Sequence, residues 1–180
     1  MTLLMARQPL FAGSLTAFGL AIAALSAVLD QAVKLWLVCG FDLGGRGVVS
    51  LTPFLDLVLA WNAGISYGLF PQDGPIGQWV LLALKAAAVV LLWFWLARTS
   101  SRLTALALGL IIGGAIGNAI DRLHWPGVMD FALFHASFGG VRYNWYVFNL
   151  ADTAIVAGVI GLLYESLLGD GAAKAPRSRP

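Results

Sequence analysis

Residues 103–122 read LTALALGLIIGGAIGNAIDR. From Leu103 to Ile120 the run carries no charge, and it is long enough, as a helix, to cross most of a hydrocarbon core roughly 30 Å thick. Gly109, Gly113 and Gly117 recur at every fourth position, a small-residue stripe that admits a neighbouring helix at close range. Asn118, Asp121 and Arg122 then gather at the end of the run. The stretch predicts a membrane span packed inside a bundle, with polar side chains collected at one end.

The rest of the chain fits that reading. Charged residues make up 11% of the 180 positions, against roughly 25% in soluble domains, and the mean hydropathy is +0.83. Three further stretches suit a span: about 14–38, interrupted by Asp30 and Lys34, about 76–97, and about 147–168. With 103–120 they predict an all-α membrane protein with four transmembrane helices in a single domain over 1–170, followed by a disordered tail over 171–180. An N-terminal run after Arg7 also suits a cleaved signal peptide, but its length and the three later spans favour a retained helix.

Basic residues orient the bundle. An N-in, C-in arrangement puts six on the cytoplasmic side (Arg7, Arg98, Arg102, Lys174, Arg177, Arg179) against four outside (Lys34, Arg46, Arg122, Arg142). The outer connections are expected to form a small extracytoplasmic element. Residues 51–62, LTPFLDLVLAWN, suggest strands or a surface-lying segment, and 128–138 an amphipathic piece on the membrane surface. Cys39 is the only cysteine, which excludes an intrachain disulfide and a cysteine-based zinc cluster. It reads as a buried or interfacial thiol, and Val38 before it fits poorly with a lipoprotein modification site. No basic run suits nucleic acid.

In an up-and-down bundle Asp30 and Lys34, Asn118, Asp121 and Arg122, and Asn149 and Asp152 meet at one membrane face. Ionisable groups at such depth mark a functional site by default. GNAIDR and FNLAD both contain Asn-x-x-Asp, which places amide and carboxylate on one helix face. Asp130, in VMDF, has apolar neighbours on both sides. If its loop folds back, Asp130 and Asp152 share a partly desolvated site and hold one proton between them. The charged member then takes a proton from water while the protonated member donates to a carbonyl oxygen. This is aspartic-peptidase chemistry, needing neither metal nor cofactor. His124 and His135 lack the spacing of a zinc protease, and no nucleophile elbow or phosphate loop is present. Lys85, midway along the second span, faces the bundle interior or snorkels.

DQAVK at 30–34, WNAGISYG at 61–68, GGAIGNAIDR at 113–122, GVMDF at 127–131 and FNLAD at 148–152 occur in this order. Together they resemble the bacterial lipoprotein signal peptidases (signal peptidase II) over all but both tails. The resemblance implies a four-helix endopeptidase of the inner membrane, with its active site toward the outer leaflet. Such an enzyme removes signal peptides from diacylglyceryl-modified prolipoproteins before the lipidated cysteine. The resemblance implies Asp130 and Asp152 as catalysts. It implies Asp30, Lys34, Asn62, Gly64, Gly114, Asn118, Asp121, Arg122, Asn149 and Ala151 as residues that shape the site or hold substrate. It also implies contact with membrane lipids and sensitivity to globomycin-type inhibitors. Tyr67 stands where the family more often has Phe, and the connection from Asp130 to Asp152 is a few residues longer. Asp121 competes with Asp130 as the partner of Asp152. Beside Arg122 on a helix end, however, it is expected to stay ionised and structural. The rival readings are a small transporter or proton relay, and a non-catalytic assembly subunit whose aspartates only pair with Lys34 and Arg122.

Overall fold

The structure, a computed structural model, describes residues 12–63 and 75–173, the side chains of 75–78, 81 and 168–173 excepted. Five helices and four strands follow in the order α1 (Thr16–Leu35), α2 (Leu43–Arg46), β1 (Val49–Thr52), β2 (Leu55–Asn62), α3 (Pro75–Leu96), α4 (Arg102–His124), β3 (Val128–Phe138), β4 (Val141–Phe148) and α5 (Leu150–Ala173). A π-helical segment, Trp36–Gly40, prolongs α1. Among the described residues, three stretches are long and apolar enough to cross a membrane: Thr16–Gly40, Arg102–His124 and Leu150–Leu167. The second expected span is also helical, as α3, with its described apolar part over Leu82–Leu96.

Helix α4 is the centre of the bundle, and its glycines set the spacing. A Cβ on Gly109 or Gly113 would strike the Gly19 or Ala23 carbonyl oxygen of α1, and one on Gly114 would strike the Ala151 carbonyl oxygen of α5. Backbones this close explain the small-residue stripe as packing. On the α1 and α3 side, Ala23, Leu96, Ala105, Leu108 and Ile112 form a buried apolar cluster. Ser101 caps α4, its hydroxyl accepting from the Thr104 N–H at 3.3 Å.

The strands form one antiparallel sheet in the order β1-β2-β3-β4. Residues 128–138 are therefore a strand and not the amphipathic surface piece expected from their composition. Partners on both sides decide this: β2 and β4 satisfy the backbone groups of β3, which no reading of an isolated segment anticipates. Gly139 and Gly140 have φ of 58° and 80°, the positive values that a two-residue hairpin turn requires. The strand β4 takes residues 147 and 148 from the expected fourth span, so α5 begins at Leu150. At its other end α5 continues to Ala173, three residues into the stretch assigned to a disordered tail. Leu37, Leu43, Leu57 and Met129 anchor the sheet to the end of α1 and to α2. With Met129 and Phe131 turned to that core, alternation along β3 turns Asp130 to the opposite side.

Candidate active site

Three helix ends and two strands converge where the sheet meets the bundle. On α1, Lys34 Nζ lies 2.8 Å from Asp30 Oδ2 and 2.6 Å from Asp121 Oδ2 of α4. The same ammonium donates to Asn118 Oδ1 at 3.2 Å. All four side chains are buried, so one cation compensates two carboxylates, and an amide satisfies its third donor. Asp30 reaches further: its Oδ1 accepts from the Ala151 N–H at 2.9 Å, fixing the first turn of α5. Asp121 also accepts from the Met129 N–H at 3.1 Å, tying the start of β3 to α4.

The start of α5 is a capping box. Asn149 Oδ1 accepts from the Asp152 N–H at 2.9 Å, and Asp152 Oδ2 accepts from the Asn149 N–H at 3.3 Å. The Asn-x-x-Asp spacing of FNLAD is thereby explained locally. It also places the Asp152 carboxylate in the first turn, where free N–H groups and the helix dipole favour negative charge. Asn118 Nδ2 donates to Asp152 Oδ1 at 2.8 Å. The Asn149 side chain then turns outward from its own helix: its Nδ2 donates to Asp130 Oδ1 at 2.7 Å and to Asn118 Oδ1 at 3.1 Å.

Asp130 comes from β3 and lies opposite Ala60 of β2. Asn62, two residues on, donates its Nδ2 to Asp130 Oδ2 at 3.2 Å. The carboxyl is buried. Burial, and then the nearby Asp152 charge, push Asp130 up to about 6 against the opposing hydrogen bonds from Asn62 and Asn149. Arg122 Nη1 donates to the Ala63 carbonyl at 3.3 Å at the rim. Lys85 is half-buried and within electrostatic reach of Asp130, Asp152, Arg122 and Lys34, so of its two expected orientations the structure selects the interior one.

The residues singled out in sequence thus meet, with one exception: Gly64 lies outside the described residues. Asp121 and Asp130 separate by partner. Asp121 is held by Lys34, Gln31 and a backbone N–H, whereas among the described residues Asp130 receives amide donors and neighbours Asp152. Gln31 was not singled out. Its Nε2 donates to Asp121 Oδ1 at 2.7 Å and to the Gly117 carbonyl at 3.1 Å. The available signal was an amide between Asp30 and Lys34 in an apolar run.

The family described as "Signal peptidase (SPase) II" matches residues 22–168. The lipoprotein signal peptidase of Nitrobacter hamburgensis is 61% identical over 158 residues, covering 88% of this chain and 96% of that one. The lipoprotein signal peptidase of Rhodopseudomonas palustris strain CGA009 is 62% identical over 152 residues, covering 84% and 93%. Among solved structures, a bacterial membrane enzyme determined by the in meso method at 2.3 Å resolution shares the fold. It superposes with a TM-score of 0.74 at 23% identity, covering 91% of this chain and 95% of that one.

Proposed function

The chain belongs to the signal peptidase II family, and from that premise we infer that it is an aspartic endopeptidase that removes signal peptides from prolipoproteins. Asp130 and Asp152 are its reacting carboxylates. One observation carries the assignment: Asn149 binds both, through its side chain to Asp130 and through its capping box to Asp152. A carboxyl pair held by neutral amides keeps its protons exchangeable, whereas the carboxylates of Asp30 and Asp121 are committed to Lys34.

In this mechanism the pair carries one shared proton, placed on Asp130 by its burial. Asp152 takes a proton from water, and the resulting hydroxide equivalent attacks the scissile carbonyl carbon. Asp130 donates its proton to the carbonyl oxygen, giving a neutral gem-diol. On collapse the carbon–nitrogen bond breaks, the proton held by Asp152 passes to the departing amine, and Asp130 takes back a proton from one gem-diol hydroxyl, leaving a carboxylic acid and restoring the one-proton pair. Asn118 and Asn149 hold the Asp152 carboxylate, and Asn62 and Asn149 hold Asp130.

The substrate is an apolar signal helix joined to a diacylglyceryl cysteine, so it enters sideways from lipid. Helices α1, α3, α4 and α5 serve as four spans, with both termini cytoplasmic and the sheet toward the outer leaflet of the inner membrane. Cleavage then occurs at the boundary where water is available. Globomycin-type inhibitors compete for the same groove. A transporter needs polar groups distributed along a path. Instead, the acidic clusters of Asp30, Asp121, Asp130 and Asp152 lie at one end, and Lys85 joins them there.

The test is direct. The purified protein in detergent is given a diacylglyceryl-modified prolipoprotein, and signal-peptide release is followed for wild type, Asp130→Asn and Asp152→Asn. Both variants are expected to lose cleavage, and globomycin to block the wild type. Release that survives either substitution removes that residue from the dyad.

A further inference from the structure

A second polar cluster crosses the sheet away from the site. Ser50 of β1 lies opposite Asp56 of β2. Asp56 lies opposite Leu133, so His135 of β3, two residues on, shares its face. His135 in turn lies opposite Asn144 of β4, and Asn144 Oδ1 accepts from Arg142 Nε at 2.9 Å. The circuit closes where Arg142 Nη2 donates to Asp56 Oδ2. His135 Nε2 approaches Asp56 Oδ1 at 3.3 Å without hydrogen-bond alignment. Asp56 is fully buried and the His135 side chain nearly so, whereas the Arg142 side chain remains 45% exposed. The Ser50 hydroxyl and then the Arg142 guanidinium hold Asp56 well below the usual carboxylate range, at about 2.

The position of this circuit matters. The β2–β3 ladder breaks register between Leu57 and Ala60, and the β3–β4 ladder between Leu133 and His135. Beyond the first break lie Ala60 opposite Asp130 and Asn62 opposite Val128, the pairs that deliver the Asn62 amide to Asp130. Losing the β2–β3 bulge would slip the pairing beyond it by one residue, and such a slip sends every side chain there to the other face. A buried carboxylate paired with Arg142 of β4 and lying beside His135 of β3 opposes that slip, because moving it strands Asp56 without its cation.

We infer that Asp56, His135 and Arg142, with Ser50 and Asn144, form a cross-strand latch that fixes the register of β2, β3 and β4 and thereby positions Asp130 for peptide hydrolysis. Asp56 and Arg142 are positioning residues that act through the sheet. The inference rests on Asp130 being a reacting carboxylate.

The experiment measures kcat and KM for signal-peptide release by the full-length protein in detergent, with the thermal unfolding midpoint of each variant. The set is Arg142→Ala, Arg142→Lys, Asp56→Asn, the Asp56→Asn/Arg142→Ala double variant, and Asp130→Asn as reference. Misplacing a reacting group costs rate, so Arg142→Ala and Asp56→Asn are each expected to lower kcat by about 10- to 100-fold, with KM within about twofold. The double variant should be no worse than the poorer single one, as expected for one shared interaction, and Arg142→Lys should recover most of the rate. Should Asp56→Asn fail to fold, the half-exposed Arg142 still decides. An Arg142→Ala protein with wild-type kcat, or with a loss confined to KM, overturns the latch while an inactive Asp130→Asn leaves the dyad standing. Cleavage by Asp130→Asn overturns the dyad, and the latch with it.

Discussion

Asp130 and Lys34 show how differently two buried ionisable groups behave in one site. Asp130 is buried beside a second carboxylate, so its charged form is disfavoured and its ionisation rises to about 6. In the proposed mechanism the pair works with one proton, so kcat/KM for cleavage is expected to fall on the alkaline side as pH rises through this region. A pH–rate profile checks it. The same shift has a sign for stability. A carboxyl raised from 3.8 to about 6 on folding costs nothing below 3.8, costs progressively more up to 6, and keeps the full cost above. Asp130→Asn is therefore expected to be more stable than wild type at pH 8, by ~1–3 kcal/mol, and equal to it at pH 3. Denaturation in detergent at both pH values reads the difference. Lys34 is the opposite case, a cation committed to Asp30 and Asp121. Lys34→Met leaves two buried carboxylates uncompensated and is expected to cost about 3–5 kcal/mol, measured in the same way.

Among the elements, α4 and α5 carry the geometry. The glycines of α4 divide between two neighbours, α1 and α5, so their substitutions separate packing from catalysis. Gly109 meets α1 at Gly19, and Gly114 meets α5 at Ala151, the residue before Asp152. Gly109→Ala and Gly114→Ala are each expected to lower stability by about 1–3 kcal/mol. Only Gly114→Ala is expected also to lower kcat tenfold or more, because it displaces the first turn of α5. Parallel unfolding and cleavage assays make the comparison. The helices were legible because an apolar run of span length has few alternatives in lipid. The capping box of α5 was legible as Asn-x-x-Asp spacing, although its role as a cap becomes visible only with both hydrogen bonds in place. The strand β3 was not legible as a strand. VMDFALFHASF alternates poorly, and pairing with β2 and β4 decided its state.

At the scale of the whole molecule the bundle and the sheet divide the work. The bundle holds Asp152 through Asp30, Asn118 and the start of α5, and the sheet brings Asp130 to it. The orientation proposed above has a convenient reporter. Cys39 is the only cysteine and is exposed at the end of α1 nearest the sheet. A membrane-impermeant thiol reagent is expected to label it in spheroplasts and to miss it in sealed inside-out vesicles. The reverse pattern inverts the topology.

Sequence by itself determined the membrane setting, the positions of the long apolar helices, the gathering of polar residues at their ends and the family. Each of these follows from local composition, spacing or ordered short blocks. Only the tertiary structure decided which carboxylates lie against a cation and which against amides. The sequence set Asp121 apart through its neighbour Arg122, but it did not show the partners of Asp30, Asp121, Asp130 and Asp152. They part company because Lys34 can reach two of them and the Asn149 amide lies between the other two. A carboxylate's charge state is set by the cations, amides and water within a few ångströms of it, and here those come from segments up to 121 positions apart in the chain.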